Sequence, residues 1–458
     1  NMKIHFLSNS LKANSGFSNV TKNIAQELKK LGHSVTMSGL QTSVVPEYTY
    51  GIESLPMATN IDEMTQFKNN LMQVDPDVLI YVGEMYTDLR HLTKVFPRSI
   101  VYCPIEGIGL PQYIIQDLNQ VVHNGGRVIA QCSYGFNEMV RHDVQSAGYI
   151  YHGYNDNIFK PLKQNELTQR YCFYSTEMGK ESIDPRKLCK HDCYHCNLAA
   201  SDQLFCANFK DELITFCKYV NNKWTEINEL PIYHLKEQFN NKFVYLFVGQ
   251  NHLLRKKINR LMIAFSMLLD SQQMKDRLHL HLHCLPQSNT GLDLLELSNR
   301  LNIQENVSFS YGTWRSSGWS ENALSILYNL SDVFVSSTSS EGFGLCHLES
   351  MACGKPQVAP NCTSLTELIG DKLLEHSIQI GQRGLLAKIS DSDIIPDMTS
   401  RQLVDISDLS MKMKEMYSNK ELREQCSKNC LKFVQPYTWS IIAKKWDNLL
   451  KDMTQQKK

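Results

Sequence analysis

The sequence lacks any long apolar run: no window approaches the roughly 18 uninterrupted apolar residues of a membrane-spanning helix, so no such segment is expected. It also lacks net charge, with Lys+Arg and Asp+Glu both totalling 47. That balance removes the overall electrostatic pull toward acidic membranes and disfavours nucleic acid as a partner. No repeat of roughly 20–50 residues recurs, which excludes a solenoid or propeller. Lys3-Ile4-His5-Phe6-Leu7-Ser8 reads as a first strand and not as a cleavable leader, so none is expected. A cytoplasmic protein with reduced thiols is the resulting expectation.

What is present suits a globular chain. Its 458 residues are 42% hydrophobic and 21% charged, too many for one ordinary core and suited to two domains plus an addition. Short apolar strands alternate with amphipathic helical patterns, the signature of βα units and parallel sheets. Lys3–Leu7, Ser34–Ser38, Asp77–Val82, Ser99–Tyr102 and Arg127–Ala130 read as one set of strands, with a helix at Val20–Leu31. A second set opens at Phe243–Gly249 and runs through Arg277–Cys284, Asn306–Ser310, Asp332–Ser337 and Pro356–Ala359. Within it, Ile258–Leu269 reads as a helix. Trp439, Ile442, Trp446 and Leu450 recur at helical spacing near the end. The polar stretch between the two sets, roughly Lys163 to Asn241, fits neither and reads as an insertion.

The chemistry concentrates in residues 336–356, Ser-Ser-Thr-Ser-Ser-Glu-Gly-Phe-Gly-Leu-Cys-His-Leu-Glu-Ser-Met-Ala-Cys-Gly-Lys-Pro. A buried strand runs into a polar turn, then Glu341-Gly342-Phe343-Gly344, then a helix. Glycines let backbone N–H groups approach a ligand, and a helix start adds partial positive charge, so this corner suits a diphosphate. Glu341 and Glu349 flank it, at most about 12 Å apart along a helix axis. Carboxylates accept hydrogen bonds from hydroxyls. A nucleotide sugar, with hydroxyls at both ends and a diphosphate between, matches that layout; the plainer alternative is a strand–turn–helix corner with two solvated glutamates.

In these residues the sequence resembles glycosyltransferase family 4, the retaining group 1 enzymes of the GT-B fold, whose signature is a Glu, seven residues and a second Glu. Val248-Gly249-Gln250-Asn251-His252-Leu253-Leu254-Arg255-Lys256-Lys257 is similar to the family's basic loop, with Gln250 where an Arg is common and about one extra residue. Asn14-Ser15-Gly16-Phe17-Ser18 is similar to its opening loop. Pro104-Ile105-Glu106-Gly107 resembles the Pro-Val-Asp-Gly motif of one branch, and Gln131-Cys132-Ser133-Tyr134-Gly135 its Ser-x-(Phe/Tyr)-Gly motif. His152-Gly153-Tyr154-Asn155 with Phe159-Lys160-Pro161 resembles the family's domain junction, and Tyr437-Thr438-Trp439 the start of its terminal helix.

The resemblance implies an α/β GT-B architecture: a Rossmann-like acceptor-side domain at 1–162, a Cys-rich insertion at 163–241, a Rossmann-like nucleotide-sugar domain at 242–436 and a crossover helix at 437–458. It implies transfer of a hexose, with retained anomeric configuration, from a UDP- or GDP-sugar to an unidentified acceptor hydroxyl on a glycan, protein, lipid or small molecule. Arg255 and Lys256 would stabilise the leaving diphosphate, Glu341 would orient the sugar, Glu349 would hold the ribose, and Glu106 would sit near the reacting centre. Gly16, Phe17, Gly249, Asn251, Gly342, Phe343, Gly344 and Leu345 complete the expected donor site. No cofactor is required for catalysis. The rival reading is a catalytically silent scaffold whose insertion binds a protein or nucleic-acid partner.

Six of the 14 cysteines (Cys172, Cys189, Cys193, Cys196, Cys206, Cys217) crowd into the insertion. The spacing of Cys189, Cys193, Cys196 and Cys206 fits a structural zinc site, and equally fits unliganded thiols or a disulfide pair. His279, His281 and His283 alternate with leucines; on a strand they would share one face, and packed, hydrogen-bonded core histidines are the expectation.

Overall fold

The protein is described from a computed structural model covering residues 1–11, 13, 15–40, 46–57, 62–84, 94–163, 172–173, 205–210, 213–220, 223–227, 239, 241–310, 319, 321–370 and 381–455. Its first sheet contains β1 (Lys3–Asn9), β2 (Ser34–Leu40), β3 (Glu47–Thr49), β4 (Ile52–Leu55), β5 (Val78–Val82), β6 (Ser99–Cys103) and β7 (Arg127–Ala130), in the order β3-β4-β2-β1-β5-β6-β7. Every pairing is parallel except that of β3 with β4. All five residues of β5 and of β6 are buried, as strands covered on both faces must be.

A small antiparallel sheet follows: β8 (Cys172–Phe173), β9 (Phe205–Lys210), β10 (Leu213–Val220) and β11 (Lys223–Ile227). It is antiparallel throughout, where the sheets before and after it are mostly or wholly parallel. The next sheet has β12 (Phe243–Val248), β13 (Leu278–His283), β14 (Val307–Phe309), β15 (Val333–Val335), β16 (Gln357–Pro360) and β17 (Gly384–Ala387), ordered β14-β13-β12-β15-β16-β17 and parallel throughout. These are the two expected Rossmann-like domains of a GT-B fold. A final hairpin, β18 (Ile389–Ile394) and β19 (Ser400–Val404), was not foreseen, because its first strand exposes nearly every residue and so lacks apolar alternation. The β3–β4 hairpin also escaped the sequence reading, being too short to set up a period.

The terminal helix Trp439–Gln455 lies on the first domain. Ile442, Trp446 and Leu450 are fully buried. The Trp446 ring meets Tyr102 of β6 edge-on at 4.9 Å, and His33 Nε2 lies 3.0 Å from the Asp447 carboxylate. Where the chain crosses, the Tyr154 amide donates to the Tyr437 carbonyl (3.0 Å) and the Trp439 amide to the Tyr154 carbonyl (3.1 Å). One apolar cluster runs unbroken from Ile4 and Tyr102 through Tyr151 to Phe343, Leu348 and Trp446, so both domains share core across the cleft. Among the described residues no helix is long and apolar enough to cross a membrane.

Candidate active site

In open parallel sheets, ligands bind at the carboxyl ends of strands where the strand order reverses. In the second domain that point lies between β12 and β15, which are hydrogen-bonded neighbours. The loop after β12 carries Gly249 to Lys257, and the loop after β15 carries Ser336 to Gly344. Both sequence-predicted motifs therefore converge on one place.

The Ser/Thr run between them has a structural cause. Ser337, Thr338, Ser339 and Ser340 are fully buried. Ser337 Oγ donates to the Lys257 carbonyl (2.8 Å), Thr338 Oγ1 to that of Arg255 (3.2 Å) and Ser339 Oγ to that of Leu254 (3.1 Å), while the Ser339 amide donates to Arg255 O (2.7 Å). Short hydroxyl side chains thus satisfy the carbonyls of the basic loop and clamp it to the turn. The loop ends at Lys257, left-handed at φ 49°, which caps the helix Ile258–Ser266.

The clamp aims Arg255 and Lys256 at two carboxylates from different domains. Lys256 Nζ donates to Glu341 Oε1. Arg255 Nη1 lies 3.3 Å from Glu341 Oε2 and 3.2 Å from Glu106 Oε1 of the first domain. Glu341 is only 6% exposed. Burial alone would raise its pKa, but Lys256 and Arg255 outweigh that and hold the carboxyl at about 2. Glu341 is therefore charged across the physiological range. An anion arriving here would find two cations already desolvated and positioned.

Glu349 lies in the helix Leu345–Ala352, 5% exposed, and accepts a hydrogen bond from the Tyr328 hydroxyl at 3.2 Å. Burial, with Glu321 adding like charge, pushes its carboxyl up to about 8 against the opposing pull of Tyr328 and Lys22. The two glutamates of one motif thus sit on opposite sides of neutrality, a split the sequence did not reveal.

The glycines have distinct jobs. Gly344, at φ 101°, is the left-handed N-cap of the helix Leu345–Ala352, whose first amides have no intrahelical acceptor. Gly342 is needed for domain contact: a Cβ there would come 2.3 Å from Pro104 Cβ across the cleft. Gly342→Ala should therefore wedge the domains apart, costing about 1–3 kcal/mol of the closed arrangement. Small-angle scattering should then show a more open molecule with the melting temperature kept, and an unchanged scattering profile would contradict this contact.

Other predicted residues are placed as follows. Phe343 inserts its ring between the domains, against His152 (4.6 Å) and Tyr151 (5.3 Å). Leu345 and Phe17 pack at the edge of the shared core. A Cβ on Gly16 would meet nothing within 4 Å, whereas one on Gly249 would come 2.9 Å from Phe247. Asn251 is engaged structurally: its Nδ2 donates to Leu292 O (2.7 Å) and its Oδ1 accepts from the Leu292 amide (3.2 Å), bracing the following loop. Cys189, Cys193 and Cys196 lie outside the described residues; Cys206 is on β9, where only the backbone is described, in register with Cys217. Among the described residues no group of three or more potential metal ligands forms.

The three histidines of β13 form a hydrogen-bonded ladder with Ser308 of β14 and Ser310 just after it. Ser308 Oγ is 2.7 Å from both His279 Nε2 and His281 Nδ1, and Ser310 Oγ is 2.8 Å from His281 Nε2 and 2.7 Å from His283 Nδ1. Burial holds His279 and His283 near 3 and, with the neighbouring His279 and His283, pushes His281 well down, so they are neutral core residues.

Some contributors carried no recognisable sequence signal. Glu367 accepts from the Tyr134 amide (2.7 Å), the Ser133 amide (3.3 Å) and the Tyr151 hydroxyl, pinning the N-terminus of the first domain's helix Ser133–Arg141. Arg401, on the unforeseen hairpin, lies 3.7 Å from Glu106.

This geometry defines a class: a GT-B protein, two Rossmann-like domains whose strand ends face each other across a basic and acidic cleft. Residues 233–393 match the sequence model of glycosyl transferases group 1. The alpha-monoglucosyldiacylglycerol synthase of Streptococcus pneumoniae is 36% identical over 112 residues, 24% of each chain, so the similarity spans about a quarter of that relative's length. Two solved structures are alike over almost everything: a glycosyltransferase from Rickettsia africae (TM-score 0.64, 14% identity, 99% of both chains) and Anabaena Alr3699/HepE in complex with UDP and glucose (TM-score 0.63, 12% identity, 99% of this chain and 100% of that one).

Proposed function

We propose that the protein is a retaining hexosyltransferase of glycosyltransferase family 4 that moves a sugar from a nucleoside-diphosphate sugar, UDP- or GDP-linked, to an acceptor hydroxyl. One observation carries the reading: Arg255, Lys256 and Glu341 meet at the strand-order reversal of the group 1 domain, beside the helix start at Gly344 and facing Glu106. The match to group 1 transferases and the UDP held by a protein of the same fold support it.

In this reading the diphosphate lies against the first amides of the helix Leu345–Ala352, and Arg255 and Lys256 neutralise the charge that grows on it as the sugar departs. Glu341 accepts from sugar hydroxyls and Glu349 from the ribose. The acceptor oxygen bonds to the anomeric carbon on the face from which the phosphate oxygen leaves, and that phosphate oxygen takes the acceptor proton. Positioning and charge stabilisation are the protein's work. Shared core across the cleft keeps water from the donor. Catalysis uses no dedicated metal in this reading; the cysteines of the insertion would hold a structural zinc, stay unliganded thiols or pair as a disulfide, and any zinc would staple the insertion rather than act in the transfer.

Thermal-shift screening against UDP- and GDP-sugars tests this, since stabilisation scales with ligand over dissociation constant. A selective shift, followed by release of the nucleoside diphosphate, is expected. No shift with any nucleotide sugar would sink the proposal.

A further inference from the structure

The hairpin β18–β19 belongs to the second domain but reaches the first. The Ile108 amide donates to Ser400 O (3.0 Å) and the Ser400 amide to Ile108 O (2.9 Å), while the Gln402 amide donates to Ser339 O (3.1 Å) in the Ser/Thr run of the active site. Gly107 lies so near that an added Cβ would be 2.7 Å from Thr399 Cβ.

Arg401 rides on this hairpin and is 3% exposed. Its Nη2 donates to Asp397 Oδ2 (2.7 Å), its Nη1 donates to Ser340 Oγ and faces Glu106 Oε2 at 3.7 Å, and its buried Nε has no partner among the described residues. Asp397 is itself fixed by the Thr399 amide (2.8 Å) and hydroxyl (2.6 Å). A cavity of about 30 Å³ opens here, lined among others by Glu84, Pro104, Glu106, Leu110, Asp397 and Arg401. That is room for one water or one hydroxyl group. A buried donor left unpaired beside such a space is costly unless a ligand or water satisfies it.

We propose that this hairpin completes the acceptor subsite, with Arg401 as the specificity-determining residue that holds a second hydroxyl of a neutral, polyhydroxylated acceptor. The proposal rests on the sugar-transfer reading above and adds the acceptor's class to it. Three carboxylates, Glu84, Glu106 and Asp397, line the cavity with Arg401, and the one further cation beside them among the described residues, Arg255, pairs with Glu106 at 3.2 Å, so the acids outnumber the cations. A phosphorylated acceptor group would meet more negative than positive charge there, whereas hydroxyls find both acceptors and a donor.

The test uses the full chain with the nucleotide sugar that stabilises it, and offers methyl glucoside, methyl galactoside, methyl mannoside, myo-inositol and glucose 6-phosphate as acceptors. Transfer to at least one neutral acceptor is expected, with glucose 6-phosphate at least about tenfold less efficient. Arg401→Lys should raise the KM of that acceptor about tenfold, leaving donor Kd within about twofold by calorimetry. Glu84→Gln, at an exposed position, should narrow the discrimination against glucose 6-phosphate, and it decides the matter if Arg401→Lys does not fold. The proposal is overturned if donor Kd worsens in parallel with acceptor KM, if Glu84→Gln leaves the discrimination unchanged, if glucose 6-phosphate is preferred, or if no neutral acceptor is used while the donor is bound and hydrolysed. Failure of the wild-type protein to bind any nucleotide sugar would instead overturn the sugar-transfer reading itself.

Discussion

Lys256→Ala will lower kcat about 10²–10³-fold, the scale of removing one preorganised charge from a developing oxyanion. Lys256 is close to Glu341 on one side of the cleft and its backbone is clamped by the Ser337 hydroxyl, which reaches both Lys256 O (3.2 Å) and Lys257 O (2.8 Å). The ammonium is therefore already oriented before any donor arrives. In the proposed reading the gain appears as the diphosphate leaves, so the loss should fall on kcat more than on donor affinity. Folding should survive, since Arg255 still faces Glu341 at 3.3 Å and prevents a wholly unpaired buried carboxylate. Steady-state kinetics with a melting curve measures both. A loss confined to donor Kd, with kcat intact, would mean that Lys256 merely binds.

Donor affinity will rise about fiftyfold between pH 6 and pH 8, following the ionisation of Glu349. Its carboxyl is pushed up to about 8 by burial and by Glu321, with Tyr328 and Lys22 pulling the other way. In the proposed reading ribose hydroxyls donate to the Glu349 carboxylate, so binding selects the deprotonated form and releases a proton. Below the folded pKa each pH unit then weakens binding about tenfold. The sign for stability is opposite. A carboxyl whose folded pKa is raised above its unfolded value contributes stability that is complete at low pH and lost as pH rises through about 8. The ligand-free protein should thus lose part of its stability over the interval in which donor binding strengthens. Glu349→Gln should flatten the affinity profile, and Tyr328→Phe, by deleting the hydrogen bond that favours the charged form, should move the rise to higher pH. Calorimetry in buffers of different ionisation enthalpy reads both the affinity and the proton count.

Much of this site was legible because its chemistry is local in sequence. Glu341 to Glu349 is one turn and one helix, and the pattern of apolar strand, glycines and flanking acids needs no long-range information. The basic loop was legible for the same reason. The two glutamates' opposite ionisation was not, because it depends on partners far along the chain: Lys256 and Arg255 for one, Tyr328 and Glu321 for the other. Asn251 looked like a ligand-facing residue beside the basic loop, yet the loop at Leu292 folds back and takes its amide. The sequence reading explained Gly342 by a ligand's approach, while the structure brings Pro104 of the other domain against it. Arg401 was invisible for a different reason. It belongs to a hairpin whose exposed Ser-Asp-Ser-Asp strand reads as loop, and its position matters only because Ile108, in the other domain, receives that hairpin.

The most direct measurement is a crystal structure with the preferred nucleoside diphosphate bound. The account predicts its β-phosphate at the first amides of the helix beginning at Leu345, with Lys256 Nζ turned from Glu341 to a phosphate oxygen and the ribose at Glu349. A nucleotide held elsewhere, with the Lys256–Glu341 pair intact, would contradict it.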